Sequence, residues 1–145
     1  MRFCRKGVMD LPVKLMIVIL IISLSVPMLT GAMERGESNN ATAAMNSEVS
    51  RMFNAAAAVH YSGIGSSRTL SVSIPEGCEI VIAGGEGSDA YSVRTLFKGD
   101  QTGIRYMDKP PVRFITDNLV ISGSCLLLIT SEVKDNYPAV RVEIV

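Results

Sequence analysis

The sequence predicts an α+β fold: an N-terminal helix, first apolar and then amphipathic, followed by a small antiparallel β head that packs on it. Three observations carry this expectation. Leu15 to Met33 holds no charged side chain, which is about the length of helix needed to cross a bilayer core. Between Ala41 and Tyr61 the apolar residues Met45, Val49, Met52, Phe53, Ala56 and Val59 recur at helical spacing. After Arg68 the period falls to two, and turn residues return about every ten positions.

The apolar segment is flanked on its N-terminal side by Arg2, Arg5, Lys6 and Lys14 against the single acid Asp10. That asymmetry places residues 1–14 in the cytoplasm and everything after Met33 outside. Pro12 stands near the helix start, where a missing N–H costs little. Pro27 lies deeper and is expected to kink or end the first helical piece. With Gly31, Gly36 and the polar run "ESNNAT" behind it, the helix of about 12–61 is expected to be broken near 27–40. Asn40-Ala41-Thr42 is an N-glycosylation sequon, an acceptor only if the segment is exported.

The second helical stretch, 41–61, pairs its apolar stripe with Asn46, Glu48, Arg51 and Asn54 on the opposite face. Ala55 to Ala58 is a run of the best helix former. Gly63 and Gly65 supply the stop. The β-rich stretch 68–145 then reads as seven or eight strands forming an antiparallel sheet, sandwich or small barrel. They are "TLSVSI", "CEIVIA", "AYSVRTLF", "IRYM", "VRFIT", "LVIS", "CLLLIT" and "AVRVEIV". "AGGEGSD" between the second and third lacks phosphate-loop spacing and reads as a β-turn. Pro110 and Pro111 read either as a polyproline ligand or, more commonly for such a pair, as the entry of the fifth strand and a block to pairing at its edge.

Composition narrows the chemistry. From Glu34 to Val145 there are 10 basic and 13 acidic residues, a scattered, mildly acidic surface with no footprint for nucleic acid. His60 is the one histidine, and no G-x-S-x-G elbow provides it with a nucleophile. No catalytic, cofactor-binding or metal-binding residue is therefore assigned, and no cofactor is expected. Carboxylates such as Glu76, Glu79, Asp108 and Asp117 are spread over turns. Of the three cysteines, Cys4 precedes the apolar segment, while Cys78 and Cys125 fall in the head. An oxidising location permits a Cys78–Cys125 disulfide, worth about 4 kcal/mol if unstrained. Two buried free thiols satisfy the same positions.

The N-terminus admits a cleavable signal ending at Thr30-Gly31-Ala32, an uncleaved anchor, or a third outcome set by Arg5-Lys6-Gly7. There, two basic residues stand directly before a glycine, Val8 follows, and the apolar run begins soon after. This resembles the class III signal of prepilins and archaellins, cut by a prepilin-type peptidase beside a Lys/Arg-Gly junction. The order of elements is similar to that of archaeal type IV pilin-like proteins, and "GIGSSRTLSVSIPEG" (63–77) is similar to their helix-to-strand junction. The resemblance implies a basic leader 1–7, a retained transmembrane or filament-core helix 8–33 and an extracellular domain 34–145. Its leader-processing residues are Arg5, Lys6, Gly7 and Val8. Its partners are the membrane, the peptidase and like subunits packed through the N-terminal helix.

Pilins usually carry a glutamate at the fifth mature position; here Pro12 stands there, and the nearest carboxylate is Asp10. That departure points toward a minor pilin or a pilin-like membrane protein rather than a major filament subunit. The expected function is a non-catalytic structural protein at the cell membrane or in an extracellular filament. The alternative is a signal-anchored binding module of the cell envelope.

Overall fold

The computed structural model describes residues 10–82 and 84–145. One long apolar N-terminal helix is followed by two four-stranded sheets, an α+β fold. The chain divides into two units, Met1–Ser38 and Asn39–Val145.

Helix α1 runs from Asp10 to Ser62 without interruption, so the break expected near 27–40 does not occur. Pro27 sits inside the helix and offers no N–H to the Ser23 carbonyl, a local loss. Around it the Ser25 hydroxyl donates to the Ile21 carbonyl at 2.7 Å. The Thr30 hydroxyl lies 3.2 and 3.1 Å from the carbonyls of Val26 and Pro27. These side chains satisfy themselves on their own helix. The C-terminus does stop where the glycines predict. Gly63 takes φ +96, the left-handed region open to glycine at no steric cost. The Ser66 hydroxyl then donates to the Val59 carbonyl at 2.7 Å, satisfying one of the helix's last free acceptors.

Eight strands follow: β1 (Ser67–Ser73), β2 (Cys78–Ile82), β3 (Ser92–Phe97), β4 (Asp100–Tyr106), β5 (Arg113–Phe114), β6 (Leu119–Ile121), β7 (Ser124–Lys134) and β8 (Tyr137–Ile144). One sheet has the order β1-β7-β8-β5 and the other β4-β3-β2-β6. Every pairing is antiparallel except β5 with β8. Beyond β5, the Thr116 hydroxyl donates to the Val142 carbonyl and accepts from its N–H, prolonging that parallel seam.

Several strand limits differ from the sequence reading. Residues Gly87–Tyr91 form a 3₁₀ turn rather than the start of β3. β4 starts at Asp100, because Lys98 and Gly99 both take positive φ and close a two-residue hairpin. β7 extends to Lys134, where Asp135 and Asn136 make the same kind of turn into β8.

The core of the second unit lies between α1 and the inner faces of both sheets. The helix contributes Met45, Val49, Met52, Ala55, Ala56 and Val59, all buried. The strands and their connections answer with Val72, Ile80, Ile82, Val93, Phe114, Ile121, Leu127, Ile129, Val140 and Val142. Period 3.6 on the helix and period 2 on the strands aim these residues at one another.

Candidate functional site: an exposed apolar helix

The chemistry of Leu11 to Met33 is that of an all-round apolar cylinder. Fifteen large hydrophobic side chains in this span are each between 53% and 77% exposed. Leu15 to Met33 rises about 28 Å at about 1.5 Å per residue, close to the hydrocarbon thickness of a bilayer. The helix is long and apolar enough to cross a membrane. In water, leaving such side chains half uncovered costs about 1–2 kcal/mol each, or about 15–30 kcal/mol together. That is more than a typical domain's whole stability of about 5–15 kcal/mol, so covering this surface would release a large free energy.

The leader-processing residues Arg5, Lys6, Gly7 and Val8, and Cys4 with them, lie outside the described residues. Asn40 is exposed on α1, within helical backbone rather than the loop its sequon suggests. Cys78 and Cys125 are both free, so the disulfide weighed from sequence is not formed. Cys78 is buried on β2 and Cys125 half-buried on β7, strands that belong to different sheets. Burial pushes both thiols up from the ordinary cysteine range, which disfavours the thiolate.

His60 packs edge-to-face on Tyr61, ring centroids 5.6 Å apart, and its Nδ1 is buried without a hydrogen-bond partner among the described residues. No group of three metal-ligating side chains comes together among the described residues. Asp89, from the glycine-rich turn, pairs with Arg94 at 3.3 Å. Glu132 and Arg141 form a two-pronged pair across β7 and β8, both bonds 2.9 Å. The Arg141 hydrogen bonds hold the Glu132 carboxyl below the usual carboxylate range.

Two features of the head went unseen in the sequence. Arg105, on β4, reaches back to the helix. Its guanidinium donates to the Asn46 carbonyl at 3.1 Å and to the Ser50 hydroxyl at 2.8 Å, and lies 5.2 Å from the Phe53 ring. It forms one wall of a shallow groove with Phe53, Asn54, Tyr106 and Lys109. A second recess is lined by His60, Tyr91, Pro111, Arg113, Tyr137 and Pro138. No periodicity signals either one, because each gathers residues from separate elements.

Comparison with protein-family models, with curated proteins and with solved structures returns no match to the chain.

Proposed function

We propose that this chain is a pilin-like structural protein. A basic leader is cut beside Gly7, the apolar helix is retained, and the β head is displayed outside the cell. The helix then holds the protein in the membrane or packs against like subunits in a surface filament. The observation that carries this reading is one unbroken helix with two consecutive surfaces. Leu11 to Met33 is left uncovered for lipid or sister helices, while Met45 to Val59 is consumed in the head's own core. A signal that is removed has no need to be continuous with the core of the mature domain. Cutting at Thr30-Gly31-Ala32 would sever α1 mid-helix.

The test is the mass of the mature N-terminus in membrane and shed fractions. A start within a residue of Gly7 or Val8 is expected, and a start near Met33 overturns the reading. The tyrosine- and proline-lined recess beside His60 favours a second reading, an anchored envelope-binding module. That reading expects an intact Met1 and a monomeric head once the anchor is removed.

A further inference from the structure

The last strand on one side of the first sheet is open. β1 pairs only with β7. Ile74 N–H donates to Gly123, and Ser131 N–H donates to Ser66, which fixes the phase of that ladder. In an antiparallel pair, every second residue bonds the partner and the others point their N–H and C=O away. Ser66, Arg68, Leu70 and Val72 thus face β7. Ser67, Thr69, Ser71 and Ser73 present their backbone groups to the open edge, and all four are exposed. Among the described residues no backbone hydrogen bond reaches them from that side.

The other sheet ends are better guarded than this one. β5 has two residues and follows Pro110 and Pro111. β6 has three. β4 is displaced by the irregularity opposite Thr95 and Leu96. β1 runs seven residues with no proline or bulge and a single charge, Arg68, and a long edge so lightly guarded is a template for another strand.

The sequence of β1 also says which strand. An antiparallel copy centred on Leu70 sets Ser67 against Ser73 and Thr69 against Ser71. All four odd-numbered residues then become hydrogen-bonded pairs, with up to about eight backbone bonds across the seam. On the outer face, serine and threonine meet serine. On the inner face, Leu70 meets Leu70 and Arg68 meets Val72, so the strand's one charge never opposes itself. The edge is complementary to itself, as a two-fold interface requires.

We propose that β1 is a self-association edge. Two heads join β1 to β1 in antiparallel register about Leu70, fusing their first sheets into one continuous eight-stranded sheet. This interface lies in the second unit and does not depend on the pilin-like reading or on the fate of the leader.

The test is amide hydrogen exchange of the full chain in detergent micelles, read residue by residue as protein concentration rises. The Ser67, Thr69, Ser71 and Ser73 amides are expected to slow by about tenfold once most of the chain is paired. The Leu70 amide, already bonded to β7, should not change. Two variants test the register: Thr69→Lys with Ser71→Lys, and Thr69→Glu with Ser71→Glu. Each alone sets like charges opposite and should remove the slowing, while an equal mixture should restore it at Ser67 and Ser73. The proposal is overturned by open-edge amides that exchange equally fast at every concentration. Protection that survives in the lysine variant alone, or fails to return in the mixture, also overturns it. Should either variant lose protection at Leu70, and hence its fold, the concentration series on the unaltered chain still decides the matter.

Discussion

Replacing Phe114 by alanine should cost the head about 4 kcal/mol. Phe114 is 2% exposed, sits on the two-residue strand β5, and stacks on Phe53 of α1, ring centroids 6.3 Å apart at 26°. Removing its ring uncovers about 150 Å² of apolar surface, which at about 25 cal/mol per Å² is about 4 kcal/mol. The range for buried Phe→Ala is about 3–5 kcal/mol, cavity included. Part of the loss belongs to the pair. Phe53→Ala combined with Phe114→Ala should reveal a coupling of about 0.5–1.5 kcal/mol, the share of aromatic geometry beyond area. The assay is native-state amide exchange of the full chain in detergent, following β7 amides such as Leu127 and Ile129, whose opening approaches global unfolding of the head. A loss below about 1 kcal/mol for Phe114→Ala would refute the argument that this ring fastens the helix to the first sheet. A coupling of zero would refute the stacking contribution while leaving burial intact.

Three single-site substitutions have further expected outcomes. Gly84→Ala should destabilise the head by about 1–3 kcal/mol, because a Cβ there would overlap the Thr116 carbonyl backbone. Gly36→Ala meets nothing within 4 Å and should instead strengthen its helix by about 1 kcal/mol; thermal unfolding of the two variants distinguishes the signs. The Arg141 hydrogen bonds hold the Glu132 carboxyl below its ordinary, unfolded-chain range. Its contribution is therefore present above the ordinary carboxylate range and lost as pH falls through the lowered, folded one. The stability gap between the unaltered chain and Glu132→Gln should be constant at neutral pH and close in acid, as read by pH-dependent denaturation.

The helix stripe was legible because Met45, Val49, Met52, Ala56 and Val59 repeat at one period and touch one core. β1 and β2 were legible for the same reason at period two. The continuity of α1 was not. Pro27, Gly31 and Gly36 each carry a local penalty, and local penalties are what sequence reading weighs. Helix formation is cooperative, so long helical flanks on both sides carry such residues through. The limits of β4 and β7 were hidden because Asp100, Gln101, Glu132 and Lys134 are polar strand residues whose place is set by pairing with β3 and β8. The partition into two sheets was hidden too, since strand order depends on contacts far apart in sequence. The candidate surface fared unevenly. The apolar cylinder could be read directly, whereas the reach of Arg105 to Asn46 and Ser50 spans more than fifty residues and leaves no local trace.

The pairing of β1 with β7 also sets the order in which this protein can be made. The helical stripe at Met45–Val59 and strand β1 leave the ribosome early, but the strand that must receive β1 begins only at Ser124, and its other neighbour, β8, ends at Ile144. The β7–β8 hairpin is local and forms fast, while the long closure back to β1 is slow. Until β7 and β8 are both available, the head has no first sheet to dock its helix against. Until then the first sheet cannot cover its share of the helix stripe, a window in which a partly folded intermediate is open to aggregation or to a chaperone. A chain stopped at the β7–β8 turn would hold the helix stripe and β1 and still lack Val140 and Val142, and with them a completed core.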